Sequence, residues 1–176
     1  SKSHPIGKAL IIHGVQMQAQ PSPLRCRGYF VTELALTANP DYDAGKPSAL
    51  DFKDLQVTST ADVLSQEKEC QKPLWRLLLR IHQNVGPEKN APYNFVLVLL
   101  GHFEVHQDYP ADKAKQLAEV NGSSILFSAA RQILRDAMNN GPFRPLLLPT
   151  VSFADMAALP LANKVAESPS VYGEEK

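Results

Sequence analysis

Between residues 124 and 139, apolar residues recur in adjacent pairs four positions apart, and charged or amide residues fill the gaps. This spacing predicts an amphipathic helix over 124–139 with a broad apolar stripe. Ser123 and Ser124, which follow an Asn-Gly turn signal, provide hydroxyl caps for its start, and Asn140-Gly141 favours a left-handed end. The pairs in the stripe are Ile125/Leu126, Ala129/Ala130, Ile133/Leu134 and Ala137/Met138.

An apolar segment follows this helix and is interrupted by prolines at 142, 145 and 149. Proline removes backbone donors and holds the chain near extended geometry, so the segment is predicted to be a stiff crossover loop rather than a helix or a central strand. Phe143 and Leu147 are the side chains that we expect to anchor it. A short helix capped by Ser152, with Asp155 at its third position, is predicted to follow.

Upstream of the helix, alternation of apolar and polar residues predicts strands. In the second of them, Phe30 and Leu34 are predicted to share a face, and Leu55–Thr60 is interpreted as its continuation after an insertion. Gly101, inside the last strand, indicates a bulge or a close approach of the backbone to the long helix. The fold class is therefore α+β: a four-stranded antiparallel sheet, one long helix, a proline-rich crossover and a short C-terminal helix. The predicted strands cover 9–20, 29–38, 74–83 and 93–105.

The helix and crossover together resemble the same region of the SecB family of protein-export chaperones. The residues that carry the resemblance, at the same spacing, are Ile125-Leu126-Phe127, Ala130-Arg131, Gly141, Phe143, Leu146, Leu148, Val151 and Phe153. The hairpin 74–105 is similar to the family's third and fourth strands, with Arg80, Phe95, Gly101 and Phe103 in compatible places.

The resemblance implies an ATP-independent holdase that binds unfolded polypeptide clients, keeps secretory precursors unfolded and passes them to the SecA motor. It also implies a homotetramer, arranged as a dimer of dimers that pack through the long helix. An exposed, proline-stiffened apolar loop beside a sheet would offer clients a preformed groove. The predicted client groove is Phe143, Leu146, Leu148, Val151 and Phe153. The predicted oligomer interface is Leu126, Ala130, Ile133, Leu134 and Ala137.

Composition narrows the function further. A chain of 176 residues, 44% of them hydrophobic, is long enough for one domain, which we expect over 1–162 with a flexible tail over 163–176. Lys+Arg and Asp+Glu are equal at 18 each, so a nucleic acid is not an expected partner. No apolar run is long enough to cross a membrane, and the distant Cys26 and Cys70 suit a reducing compartment, so a cytoplasmic location is expected.

The sequence contains few residue patterns that are typical of a catalytic or metal-binding site. His102 and His106 are four positions apart, but on a strand their side chains would lie about 13 Å apart, beyond the reach of one metal ion. The sequence contains no G-x-S-x-G elbow and no phosphate-binding glycine motif, so no catalytic residue, metal site or cofactor is predicted.

Several departures from the family argue against tight coupling to SecA. The chain is neutral, its first predicted strand carries Gln16, Gln18 and Gln20, Pro160 interrupts the last predicted helix, and the tail carries only three glutamates. The alternatives are a SecB-like chaperone for one client, such as a toxin–antitoxin partner, and a small-ligand-binding domain on the same fold.

Overall fold

The computed structural model describes residues 21–64 and 73–154. It contains one antiparallel sheet of four strands, backed on one face by a long helix, which confirms the α+β fold class. The strands are β1 (Leu24–Ala38), β2 (Gln56–Leu64), β3 (Leu74–Gln83) and β4 (Tyr93–Val105), and they lie in the order β1-β4-β3-β2. The predicted strand at 9–20 and most of the predicted C-terminal helix lie outside the described residues.

β2 is a separate edge strand, so the interpretation of 55–60 as a continuation of the preceding strand is wrong. It pairs with β3, from Gln56 opposite His82 to Leu64 opposite Leu74, whereas β1 pairs with β4 at the opposite edge. The segment between β1 and β2 crosses from one edge of the sheet to the other. That crossing places a short 3-10 turn, Phe52–Asp54, directly before β2.

Two register shifts in β1 change which side chains share a face. The shifts fall between Cys26 and Gly28 and between Val31 and Glu33. Phe30 therefore pairs with Leu100 on the outer face, while Leu34 pairs with Leu97 on the helix-facing side. The prediction that Phe30 and Leu34 share a face is wrong, because a bulge adds a residue and reverses the alternation after it.

The long helix does not begin at a turn after Gly122, because it is one part of a longer helical region. This region runs from α1 (Ala111–Leu117) through a π turn (Ala118–Gly122) into α2 (Ser123–Asn139) without a break. The predicted serine cap is therefore wrong: Ser123 is buried and shares a 2.6 Å hydrogen bond with the hydroxyl of Ser59 on β2. Gly122 allows the close packing, since a Cβ there would lie 2.6 Å from a methyl carbon of Leu77.

The end of α2 also differs from the expectation of a left-handed residue. Asn140 closes the helix with φ −90° and ψ 0°, and among the described glycines only Gly28 has a positive φ. Gly141 instead allows the chain to pack closely against Tyr93, because a Cβ at position 141 would lie 2.6 Å from the hydroxyl oxygen of Tyr93.

The core lies between α2 and the inner face of the sheet. The expected close approach at Gly101 is confirmed, since a Cβ there would lie 2.8 Å from a methyl carbon of Leu126 on α2. Odd-numbered residues of β3 and β4 face the helix and are buried, as the period of a strand requires. They are Trp75, Leu77, Leu79, Ile81, Tyr93, Phe95, Leu97, Leu99 and Phe103.

Candidate functional site

The crossover segment, residues 141–153, forms no helix or strand, as its prolines predict, apart from a bend at its start. Tyr93 on β4 holds its first part. The buried hydroxyl of Tyr93 donates to the carbonyl oxygen of Phe143 at 2.7 Å and accepts the amide proton of Phe143 at 2.9 Å. The ring of Phe143 contacts the rings of Tyr42 and Tyr93, with centroids 4.9 and 5.9 Å apart. Phe143 thus attaches the crossover to the sheet and to the 39–54 segment.

The second part of the crossover alternates between the core and the surface. Leu148 is 6% exposed and Phe153 2%, and the ring of Phe153 contacts that of Phe127 on α2 at 5.8 Å. Leu147, directly before Leu148, is 83% exposed, so the expectation that it anchors the loop is wrong. The three adjacent leucines therefore have different environments: Leu146 is half-buried, Leu147 faces solvent and Leu148 belongs to the core.

The five predicted groove residues accordingly divide into two sets. Phe143, Leu146 and Val151 are half-buried and keep part of their apolar surface at the rim of the crossover. Leu148 and Phe153 belong to the core and keep little accessible surface, so they act as anchors of the loop. Leu147, which was not among the five, presents the largest exposed fraction of the crossover leucines.

An apolar pocket of about 240 Å³ opens on one side of these leucines. Leu146, Leu147, Leu148 and Pro149 form one wall, and Leu50, Asp51, Phe52 and Leu55 form the other, with Gln83 between them. Phe52 is 58% exposed. We call this space the apolar pocket. Its second wall comes from residues 50–55, where the sequence shows no clear periodicity.

The segment that supplies the second wall is tied down by polar contacts. Asp51 caps the 3-10 turn, and the carboxylate of Asp54 forms a 3.0 Å ion pair with Lys89. The amide proton of Asp51 also bonds this carboxylate, and together with Lys89 it lowers the pKa of Asp54 below its ordinary value of 3.8. Asn90, in a left-handed conformation at φ 46°, bonds the backbone of Asp43 and Lys46. Phe52 is thus held in place by its neighbours.

A second pocket, of about 210 Å³, lies on the other side of the same leucines. Ser128, Arg131, Gln132 and Arg135 of α2 line it together with Leu146, Leu147 and Leu148. We call it the cationic pocket. Among residues 21–64 and 73–154, neither Arg131 nor Arg135 forms an ion pair. Sequence reasoning had placed both arginines only in the polar gaps of the helix.

The predicted oligomer interface on α2 also divides. Leu126, Ala130 and Leu134 are fully buried against the sheet of the same protomer, so they are not available to a partner. Ile133 and Ala137 remain half-buried. The accessible apolar row on α2 is Ile125, Ala129 and Ile133, four positions apart, with Ile125 39% exposed. Half of the apolar stripe on α2 therefore belongs to the core of the protomer, because one face of the helix must cover the sheet.

Groups suited to metal binding do not converge in the described part of the chain. No set of three or more His, Cys, Asp or Glu side chains there could hold a metal ion. The ring of His102 lies edge-on to Phe30 at 6.0 Å on the outer face of the sheet. Only two carboxyl groups among the described residues have a clearly lowered pKa, and neighbouring donors cause both shifts: backbone amides and the lysine beside each of Asp43 and Asp54.

The described residues thus form a small α+β protein in which one antiparallel sheet is backed by a long helix and the crossover lies between an apolar and a cationic pocket. The family profile described as preprotein translocase subunit SecB matches residues 45–163. The chain belongs to the SecB family, and the resemblance of its helix and crossover is confirmed.

Individual relatives agree with the family. The protein-export protein SecB of Xanthobacter autotrophicus is 36% identical over 76 residues, 43% of this chain and 48% of the relative. That of Brucella canis is 35% identical over 92 residues, 52% of this chain and 56% of the relative. The chain thus spans about half the length of these curated relatives. An uncharacterized protein of Methanocaldococcus jannaschii is 26% identical over 137 residues, 66% of this chain and 87% of the relative.

A solved structure of a SecB-like chaperone from Mycobacterium tuberculosis, in complex with a peptide from the HigA1 antitoxin, is also similar. It aligns with a TM-score of 0.48 at 11% identity, over 73% of this chain and 91% of the other. In the described part of this chain, no helix is long and apolar enough to cross a membrane.

Proposed function

We propose that the protein is an ATP-independent holdase that binds unfolded polypeptides, including export precursors, in the groove around Leu147. The observation that carries the proposal is the 83% exposure of Leu147 next to the buried Leu148, beside a pocket whose other wall includes the exposed Phe52. Membership of the SecB family supports it.

The geometry suits a binding site that needs little ordering. Proline fixes the crossover backbone, and Phe143, Leu148 and Phe153 hold it against the core, so little conformational entropy remains to be lost on association. Each Leu- or Phe-sized client side chain that enters the apolar pocket would contribute about 1.5–3 kcal/mol before those costs. Such contacts recognise apolar surface rather than a sequence, as a holdase requires. Binding and release then need no nucleotide and no catalytic group.

Single substitutions test the groove. Leu147→Ser and Phe52→Ser should weaken suppression of aggregation of a chemically unfolded client, while the melting temperature stays nearly unchanged, since exposed side chains contribute little to folding. Leu78→Ser is the matched control: Leu78 is 42% exposed on the opposite face of the sheet, away from the crossover. Light scattering of the client at increasing chaperone ratios measures the effect.

Two results would contradict the proposal. One is a wild-type protein that leaves client aggregation unchanged at a tenfold excess. The other is equal activity of Leu147→Ser, Phe52→Ser and Leu78→Ser, which would place client binding away from the crossover.

A further inference from the structure

The exposed surface of α2 has two chemically different flanks. Ile125, Ala129 and Ile133 form the apolar flank, whereas Ser128, Arg131 and Arg135 lie on the flank beside the crossover. On a helix, positions separated by three, four or seven residues lie on one side, so both arginines point to the same strip of surface. The cationic flank borders the site where a client would bind.

Neither arginine side chain forms a hydrogen bond or an ion pair with another described residue. By contrast, Arg76 and Arg80 on the sheet each pair with a carboxylate, at 3.0 and 3.1 Å. Asp136, the nearest acid along the helix, instead accepts hydrogen bonds from the amide of Gln132 at 2.9 and 3.0 Å. Two like charges four positions apart on a helix repel one another weakly. Their grouping beside the crossover therefore has a cost that no ion pair among residues 21–64 and 73–154 offsets.

The apolar pocket carries the opposite charge. Asp51 lies on the wall away from the helix, and its carboxylate accepts the amide proton of Phe52 at 2.6 Å. An acidic side chain would be repelled from that wall and attracted to Arg131 and Arg135. Leu146, Leu147 and Leu148 are shared by both pockets, so a chain that crosses Leu147 meets both.

We propose that Arg131 and Arg135 make the groove selective for unfolded segments in which an acidic residue stands close to a large apolar residue. The apolar side chain enters the pocket beside Phe52, and the carboxylate pairs with the two guanidinium groups across Leu147. Guanidinium and carboxylate match in shape and form two parallel hydrogen bonds, which makes arginine better suited than lysine to this role. This inference rests on the proposed client groove and adds a charge preference to it.

A series of three labelled peptides tests the preference on the full chain. Each is twelve residues long and flexible, with Phe and Leu at its centre, and the two positions on one side are Glu, Gln or Lys. Fluorescence anisotropy at low and at physiological salt gives their dissociation constants. The Glu peptide should bind about three- to tenfold more tightly than the Gln peptide, as two partly exposed ion pairs allow, and the Lys peptide should be weakest. The difference should shrink as salt is added.

Substitution tests whether the two arginines cause the preference for the Glu peptide. Arg131→Gln with Arg135→Gln should remove the preference for Glu, so that the Glu and Gln peptides bind with equal affinity. Arg76→Gln with Arg80→Gln, which removes two positive charges on the outer face of the sheet, should leave the preference intact. Equal affinity of the wild-type chain for all three peptides would overturn this inference and leave the proposed groove standing. Failure of every peptide to bind would overturn both.

Discussion

Leu147 and Leu148 are adjacent in sequence and have opposite roles. Leu148 is part of the core and Leu147 faces solvent, because an extended chain turns successive side chains to opposite sides. Leu148→Ser should therefore destabilise the fold by about 2–5 kcal/mol, as other substitutions that empty a buried site do. Leu147→Ser should change the free energy of unfolding by less than about 0.5 kcal/mol. Urea titration followed by circular dichroism measures both; similar losses in the two variants would show that Leu147 is also core.

Tyr93→Phe tests the attachment of the crossover to the sheet. The change removes the hydroxyl that bonds both backbone groups of Phe143 and leaves those buried groups without their partner. We expect a loss of about 1–3 kcal/mol in stability and faster amide exchange across the crossover. Tyr42→Phe, which keeps the ring beside Phe143 and removes a different hydroxyl, is the control. Unchanged exchange in Tyr93→Phe would mean that apolar packing alone holds the loop.

The ion pair of Asp54 should make stability depend on acid pH. Its pKa is lowered in the folded state, so the ionised carboxylate stabilises the fold above the ordinary value of 3.8 and this contribution disappears as the pH falls through the folded value. Asp54→Asn should lower the melting temperature at pH 7 and flatten its decline below about pH 4. Asp41→Asn, on the same segment, serves as control. Parallel melting curves against pH for Asp54→Asn and the unchanged protein would contradict this role.

At the scale of elements, the alternation of apolar and polar residues predicted the strands that pack one face against the core. β3 and β4 have the predicted bounds, since Trp75, Leu77 and Leu79 alternate with polar or exposed residues in a strand without a bulge. The bulges of β1 could not be predicted, because a bulge is defined by the partner strand rather than by its own residues. The helical path through Gly122 was missed for a related reason: glycine there serves contact with Leu77, which is distant in sequence.

The site was harder to predict than the fold. The prolines identified the crossover as extended, but which of its leucines is exposed depends on where Phe143 is held by Tyr93, a contact across 50 residues. Phe52 was missed because its segment has no clear periodicity. Its position follows from Asp54 and Lys89, whose pairing brings two loops together.

The exposed row on α2 is where we expect protomers to assemble. Ile125, Ala129 and Ile133 continue the apolar stripe beyond what the sheet covers, so a tetramer arranged as a dimer of dimers is predicted to bury them. Ile125→Asp should reduce the mass measured by light scattering, because an interface would have to bury an unpaired carboxylate. Ser128→Asp adds the same charge on the other flank and should leave the mass unchanged. A monomeric wild-type protein at micromolar concentration would defeat the assembly prediction.

At the scale of the whole molecule, the charges balance in total and, on the outer face of the sheet, in local pairs. On the outer face of the sheet, opposite α2, Arg80 pairs with Glu33 and Arg76 with Asp62. The total is likewise 18 basic and 18 acidic residues, so no strong field of one sign surrounds the protein. The same face carries exposed apolar residues, among them Phe30 and Leu78. A partner that recognises a row of free carboxylates would meet, on this face, carboxylates that are paired with arginines.

This neutralisation predicts weak binding to SecA. Electrostatic complementarity governs how fast and how specifically charged surfaces associate, and here arginines screen the two carboxylates Glu33 and Asp62. We expect a dissociation constant above about 1 µM in physiological salt. Each tenfold change in this constant corresponds to about 1.4 kcal/mol of binding free energy. Arg76→Gln with Arg80→Gln uncovers both carboxylates and should strengthen binding, whereas Arg131→Gln with Arg135→Gln, which removes two charges on the helix side, should not. Sub-micromolar binding by the unchanged protein, measured by calorimetry, would show that SecA recognises something other than the charge of this sheet.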